Sequence, residues 1–269
     1  MFEQIPILVK GGGDLATGVV FRLWRAGFPV VVTELPKPTA IRRAVAISEA
    51  VYEGEIQIED MTARRASTPA EMEHCWSQGV IPVFVDPQAE LVSKIQPRVV
   101  VDAIMAKHNL GTQISDAPLV IALGPGFTAG VDAHVVVETN RGHFLGRALW
   151  QGHAEADTGL PGTIQGVRAR RVIYSPVDGF FEPHTGIGAR VEEGESLGKV
   201  GQAAVLAPIA GIVRGLIHEN VSLHAGMKIG DVDPRGVAAH CWTISDKALA
   251  VGGGVLEAVV RSLQALLAN

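Results

Sequence analysis

Cysteine is scarce in this chain, and its scarcity excludes two kinds of cross-linked fold. Only Cys75 and Cys241 occur among 269 residues, so a disulfide framework and a cysteine-rich zinc site are both excluded. No apolar run reaches the roughly 18 residues that cross a membrane. No charged segment followed by an apolar one resembles a signal peptide. We therefore expect a cytoplasmic protein with no membrane partner; no metal-ligating residues are predicted, and a bound metal remains open as an alternative.

An excess of basic residues is absent as well. The chain has 23 Lys and Arg against 28 Asp and Glu, which gives a formal net charge of −5. Because no basic stripe is visible, nucleic acid is excluded as a partner. Hydrophobic residues make up 47% of the sequence, which is typical of an α/β protein with buried parallel strands.

The strongest positive signal lies between Ile5 and Glu34. An apolar run ends at three consecutive glycines, which open onto an amphipathic helical pattern and a second apolar run. Glycine permits a tight turn there and lets backbone N–H groups approach a pyrophosphate, while the positive end of the helix stabilises the anion. Glu34 lies about 20 residues beyond Gly13, the offset of the acid that holds an adenosine ribose.

This pattern predicts a cofactor, NAD or NADP, with NAD favoured by the acid at the second strand. The cofactor-binding residues predicted here are Gly11, Gly12, Gly13, Asp14, Leu15, Ala16 and Glu34. Another nucleotide, S-adenosylmethionine or no ligand at all remain open as alternatives.

Short β-branched runs alternate with helical patterns to about residue 125, which predicts a doubly wound sheet. One of these helices begins at Thr68-Pro69-Ala70-Glu71, a capping box with proline at the first helical position. The predicted fold is α/β: a Rossmann-like doubly wound parallel sheet over residues 1–150 and an all-β module over residues 167–238. A C-terminal helical segment, 243–269, returns to pack on the N-terminal domain.

The all-β module is predicted from an internal repeat. Residues 175–200 align without a gap with residues 207–232 and share proline, glycine and apolar positions. The pattern resembles the barrel-sandwich hybrid of biotinyl and lipoyl domains. Carrier domains present a lysine in the turn between the two halves, whereas this turn, Gly201–Val205, has none. We therefore expect no lipoyl or biotinyl group.

A second set of candidates follows the predicted strands. Ligands of open α/β sheets bind at the carboxyl ends of the strands. Gly124 and Gly126 form a glycine turn there and are predicted to bind the cofactor, and Asp102 and Lys107 are predicted to bind an anion or substrate. An ordinary tight loop or a helix cap is the alternative for each.

His134 and Glu138 are predicted as a catalytic acid–base pair, because side chains two and four residues apart share one face of a strand. Arg141, Asp246 and Lys247 are predicted to bind an anion or substrate beside them, since a guanidinium stays charged. We expect all five to converge beside the first glycine turn.

The chain resembles the YqeB family in four segments: KGGGDLATG, VVDAIMAKHNLGT, IALGPGFTAGVDAHVVVETNRGH, and DVDPRG with CWTISDKALAVGGGVLEAV. These are accessory proteins of selenium-dependent molybdenum hydroxylase systems. The resemblance implies a role in maturation or cofactor handling, with a molybdenum hydroxylase as partner. The family often has cysteine after Asp132, whereas this chain has Ala133, so the resemblance implies no thiol chemistry there.

Two functions are therefore predicted. The first is a nucleotide-binding accessory protein for a selenium-dependent molybdenum hydroxylase; the alternative is an NAD(P)-dependent oxidoreductase acting on a small metabolite. The glycine turn supports both equally, and the resemblance and the β repeat favour the first. We expect a homo-oligomer.

Overall fold

The computed structural model describes Phe2, residues 4–157 and residues 169–268. The chain divides into two compact units. The first, here called the sheet unit, comprises Met1–Pro36, Ile47–Thr158 and Ile244–Asn269; the second, the β unit, comprises Lys37–Ala46 and Gly159–Thr243. The predicted domain start at residue 167 lies outside the described residues. Within the described ranges, no helix is long and apolar enough to cross a membrane.

The sheet unit contains most of the regular structure. Its strands are β1 (Ile7–Lys10), β2 (Val30–Glu34), β3 (Glu55–Ile58), β4 (Met61–Ala66), β5 (Ile81–Val85), β6 (Val99–Asp102), β7 (Leu119–Leu123), β8 (Thr128–Ala129), β9 (Val135–Val137), β10 (Ala148–Leu149) and β11 (Gly152–His153). Its helices are α1 (Asp14–Arg25), α2 (Ala50–Glu53), α3 (Pro69–Ser77), α4 (Leu91–Ile95), α5 (Asp246–Arg261) and α6 (Leu263–Ala268). Short 3-10 turns occupy Ile47–Glu49 and Ile114–Asp116.

The main sheet is mixed. Among the described residues it has nine strands in the order β10-β9-β7-β6-β1-β2-β5-β4-β3, and antiparallel strands, β10 and β3, form its two edges. The prediction of a Rossmann-like doubly wound parallel sheet is therefore wrong. At one edge the cause is the two-residue turn Glu59–Asp60, because a connection this short forces β3 and β4 to pair antiparallel.

Apolar side chains from α3 and α4 cover one face of this sheet. Leu8, Val31 and Phe84 of the sheet pack in one buried cluster with Met72 of α3 and Leu91 of α4. The predicted start of α3 is confirmed. The Thr68 hydroxyl accepts the Glu71 N–H at 3.2 Å, Pro69 is the first helical residue, and the Glu71 carboxylate accepts the Ser67 N–H at 2.6 Å.

Glycines allow α1 and α5 to pack with their backbones in contact. A side chain at Gly18 would collide with the Ala248 backbone, and one at Gly252 would collide with the Gly18 carbonyl. Gly254 approaches the Gly146 carbonyl in the same way. Gly252, Gly253 and Gly254 follow one another inside the continuous helix α5.

The β unit is built from seven short strands in its described part. They are β12 (Val172–Tyr174), β13 (Phe181–Pro183), β14 (Arg190–Val191), β15 (Ser196–Val200), β16 (Ala203–Leu206), β17 (Gly211–Leu216) and β18 (Lys228–Asp233). They form a four-stranded sheet, β12-β18-β17-β14, and a three-stranded sheet, β13-β15-β16. Three 3-10 turns occupy Arg43–Val45, Ala169–Arg171 and Ala238–Cys241.

The prediction of a barrel-sandwich-hybrid-like module is also wrong. The two repeats build strand pairs of unequal size in different sheets: β17 and β18 of the second copy are six residues long and lie in the four-stranded sheet. In the first copy the corresponding strands, β13 and β15, have three and five residues and pair in the three-stranded sheet.

The glycine contacts of α5 predict how an added methyl group changes the free energy of unfolding, and the neighbouring Gly253 serves as the control. We expect Gly252→Ala to lower the free energy of unfolding by about 1–3 kcal/mol, since its methyl group has no room against the α1 backbone. Nothing lies within 4 Å of the corresponding position at Gly253. Gly253→Ala should therefore stabilise the helix by up to about 1 kcal/mol. Urea unfolding of both variants measures the difference, and equal stability would contradict the packing described.

Candidate active site at the carboxyl edge of the sheet

Other groups of the protein occupy the hydrogen-bonding positions of Gly12 in the glycine turn after β1. Gly12 donates its N–H to Glu34 Oε2 at 2.7 Å, and its carbonyl accepts the Ser48 N–H at 2.9 Å. A Cβ on Gly12 would lie 2.9 Å from Ser48 N. The other oxygen of Glu34 accepts the Leu35 N–H at 2.7 Å. The amide and the acid that a nucleotide would need are thus bonded to one another.

The neighbouring glycines differ in what surrounds them. Gly11 has a φ of +87° and lies against the Ala103–Ile104 backbone, so it serves close packing. Gly13 is the N-cap of α1, and nothing lies within 4 Å of where its Cβ would be. Ala16 is buried in α1 and Leu15 is half-buried. The open part of the turn is therefore the start of α1.

Asp102 lies at the end of β6 in a buried polar network. Its Oδ2 accepts the Thr112 hydroxyl at 2.6 Å, and Thr112 Oγ1 accepts a hydrogen bond from Lys10 Nζ at 3.0 Å. Lys10 Nζ also lies 3.0 Å from Asp116 Oδ2. Burial raises the pKa of Asp102, while the Thr112 hydroxyl, the Ile104 amide and the Lys10 charge act in the opposite direction. The network fixes the loop that follows β6.

Lys10, Thr112 and Asp116 were missed by the sequence analysis. A signal existed for Lys10, because a lysine that directly follows three buried apolar residues of a central strand needs a buried partner. Thr112 and Asp116 belong to a loop and a 3-10 turn, and no local pattern relates them to Lys10.

The loop after β6 packs between the two glycine turns. Gly126, with a φ of +102°, lies against the backbone of Lys107 and His108, and a side chain at Gly124 would collide with Thr139. Lys107 itself has a φ of +67°, and its ammonium pairs with Asp157 at 2.8 Å. Backbone strain of this kind is often found at functional sites.

His134 and Glu138 lie at opposite ends of β9. Four residues of extended chain separate their Cα atoms by about 13 Å, at about 3.3 Å per residue. Val120 N–H donates to His134 Nδ1 at 3.0 Å, and burial lowers the pKa of this imidazole. The structure does not bring these two side chains together as an acid–base pair.

Glu138 is at the carboxyl edge and is held by the backbone. Its Oε1 accepts the Asn140 N–H at 2.6 Å and its Oε2 accepts the Glu155 N–H at 2.7 Å. Only 2% of the residue is exposed. With an amide on each oxygen, the carboxylate fixes the chain that follows β9.

Arg141 and Asp246 form a two-point ion pair. Nη1 lies 2.7 Å from Oδ2 and Nη2 lies 3.1 Å from Oδ1. Asp246 is the first residue of α5, whose N-cap, Ser245, accepts the Ala248 N–H at 3.2 Å. This pair ties the segment after β9 to the start of α5.

Lys247 is the second residue of α5 and is half-buried. Burial lowers the pKa of its ammonium group, and the positive charge of Arg141 lowers it further. The carboxylates of Asp14, Glu138 and Asp246 act on the same group and oppose the shift. Five predicted residues, Asp14, Glu138, Arg141, Asp246 and Lys247, thus lie close enough for their charges to act on one amine.

Comparison with known proteins gives one strong match. The chain is 48% identical over 254 residues, or 94% of its length, to the uncharacterized protein YqeB of Escherichia coli K12. This match supports the YqeB family. The chain spans about half of that relative, 47% of its length. The match does not support a role in selenium-dependent molybdenum hydroxylase systems. No protein-family model matches the chain.

Several solved structures overlap the chain weakly. The product-bound ectoine utilization protein EutE (DoeB) of Ruegeria pomeroyi is 12% identical, with 86% of this chain and 85% of that chain covered and a TM-score of 0.25. A succinylglutamate desuccinylase/aspartoacylase of Rhodobacter sphaeroides is 13% identical, covers 84% and 86%, and has a TM-score of 0.24. An aspartoacylase family protein of Mesorhizobium loti is 11% identical, covers 86% and 84%, and has a TM-score of 0.27. At these TM-scores no activity is carried over to this chain.

The predicted functions are corrected by the geometry of the glycine turn. The groups predicted to bind the nucleotide are already bonded to one another, because Glu34 accepts a hydrogen bond from the Gly12 amide. The predictions of a nucleotide-binding molybdenum hydroxylase accessory protein and of an NAD(P)-dependent oxidoreductase on a Rossmann domain are therefore wrong.

The buried carboxyl of Asp102 gives a pH-dependent prediction. Its pKa in the folded chain is above the ordinary value of 3.8, so the folded state holds this proton more tightly than the unfolded state does. Stability should therefore fall as pH rises from about 3.8 through the raised pKa. Because Asn cannot titrate, wild type should lose stability relative to Asp102→Asn over that window.

Unfolding free energies of wild type and variant at several pH values measure this difference. Glu73→Gln, on the exposed side of α3, is the control. A difference that grows in favour of wild type with rising pH would show that the Lys10 charge outweighs burial.

Proposed function

We propose that the sheet unit is an enzyme for a small anionic carbonyl compound, with the Lys247 amine as its reacting group. The observation that carries the proposal is the convergence of Asp14, Glu138, Arg141 and Asp246 on Lys247 at the carboxyl edge of the sheet. Clusters of this kind, where burial and a like charge act on one amine, are frequent in active sites.

The position of Lys247 in its helix supports a role in chemistry. The first turn of a helix carries partial positive charge and favours acids. Asp246 follows that rule and Lys247 breaks it. Burial and the nearby Arg141 guanidinium also disfavour the ammonium form. Three separate effects thus favour the neutral amine, which is the nucleophilic form.

The start of α1 supplies room for the anionic end of the substrate. Gly13 caps this helix without a side chain and has open space beside it. The free N–H groups and the dipole of a helix start favour a carboxylate or phosphate. Asp14, the first residue of α1, acts electrostatically on Lys247, so the helix start and the amine belong to one site.

The proposed first step is imine formation. The Lys247 nitrogen attacks the carbonyl carbon, the carbonyl oxygen takes up a proton, and the resulting carbinolamine loses water to leave a C=N bond. Asp14 is the nearby half-buried carboxyl group suited to carry that proton. Glu138 is not suited, because backbone amides occupy both of its oxygens.

Reductive trapping tests the proposal. The protein is incubated with pyruvate and sodium cyanoborohydride, and tryptic peptides are analysed by mass spectrometry. We expect an adduct on Lys247 that forms at least tenfold faster than any adduct on Lys94, an exposed lysine paired with Glu90. Lys247→Arg should abolish the adduct, and Arg141→Gln should slow it near neutral pH by removing the charge that favours the neutral amine. Equal labelling of the two lysines would overturn the proposal.

A further inference from the structure

The β unit exposes an aromatic side chain to solvent. Trp242 is 53% exposed and Val237 is 42% exposed. The indole lies over Gly188, where a Cβ would come within 3.2 Å of Trp242 Cζ2. Arg190 lies beside them, since its Nη2 donates to the Gly236 carbonyl at 3.4 Å. We call these five residues the Trp242 surface.

Positive charge borders this surface and exceeds the negative charge beneath it. Asp233, which is buried, binds Arg235 with Nη2 at 2.5 Å and Nε at 2.9 Å. Arg214 Nε is 3.7 Å from the same carboxylate, and His240 lies at 3.9 Å. Arg190, beside Gly236, adds a third guanidinium group to those of Arg214 and Arg235. The surface is thus positive in a chain whose net charge is −5.

We propose that the Trp242 surface binds an acidic segment of a partner protein. An apolar side chain of the partner would lie against Trp242 and Val237, and its carboxylates would meet Arg190 and Arg235. Tryptophan and arginine are the residues most enriched among those that dominate binding energy at interfaces. Complementary charge adds specificity and speeds association.

Single-stranded nucleic acid is the rival ligand, because aromatic rings and cations also bind it. The geometry favours a peptide. Gly188 lies against the indole and restricts stacking on it, and Val237 offers an aliphatic contact that a base does not need.

The experiment uses the full chain and three fluorescein-labelled probes. They are a twelve-residue peptide of Glu and Ser with one central Phe, the same peptide with Gln in place of Glu, and a twelve-nucleotide oligo-dT. Fluorescence anisotropy is recorded at two salt concentrations. We expect the acidic peptide to bind at least tenfold more tightly than the Gln peptide, with affinity that falls as salt rises.

Two variants and two matched controls locate the site. Arg190→Glu and Trp242→Ala should each weaken binding of the acidic peptide at least tenfold. Arg170→Glu and Tyr174→Ala change equally exposed residues of the same unit and should leave binding unchanged. Circular dichroism and the unfolding midpoint confirm that each variant is folded. No binding of the acidic peptide, equal binding by Arg190→Glu, or tighter binding of oligo-dT lost in both variants would overturn the proposal.

Discussion

The candidate active site depends on the backbone contact between α1 and α5. Gly18 and Gly252 let the two helices approach so closely that a Cβ on either glycine would lie 2.3 Å from a carbonyl oxygen of the other helix. At that distance the N-terminus of α5 is held beside the N-terminus of α1, and Lys247 comes within the field of Asp14. Any side chain at the two glycines would separate the helices. The glycines thus cost helix stability and serve to bring two remote parts of the chain together.

Polar groups at the carboxyl edge are mostly used to hold loops. Glu34 fixes the glycine turn, Glu138 fixes the chain after β9, and Asp102 with Lys10 fixes the loop after β6. Each is a buried or half-buried charge whose partners are amides, hydroxyls or an opposite charge, as burial requires. Lys247 is the exception, since burial and Arg141 both act against its charged form. That difference distinguishes Lys247, the proposed reacting group, from the charged residues that hold the surrounding loops.

The two units present charge in different ways. In the sheet unit a lysine is half-buried among three carboxylates and one arginine. In the β unit Arg214 and Arg235 lie at the buried carboxylate of Asp233, with an exposed indole beside them. The first arrangement suits a small molecule that can enter among the helix starts, and the second suits a segment of another chain lying on a surface.

The sequence by itself determined the features that depend on neighbouring residues: the parallel run of β-branched strands, the glycine turn after β1, and the start of α3 at Thr68 with its proline and capping glutamate. Tertiary structure decided what those features do. The glycine turn matches a nucleotide motif, yet Ser48 covers it and Glu34 bonds to it. The three glycines of α5 look like a break, yet they form a packing face. A glycine permits close approach, and only the fold decides which group approaches.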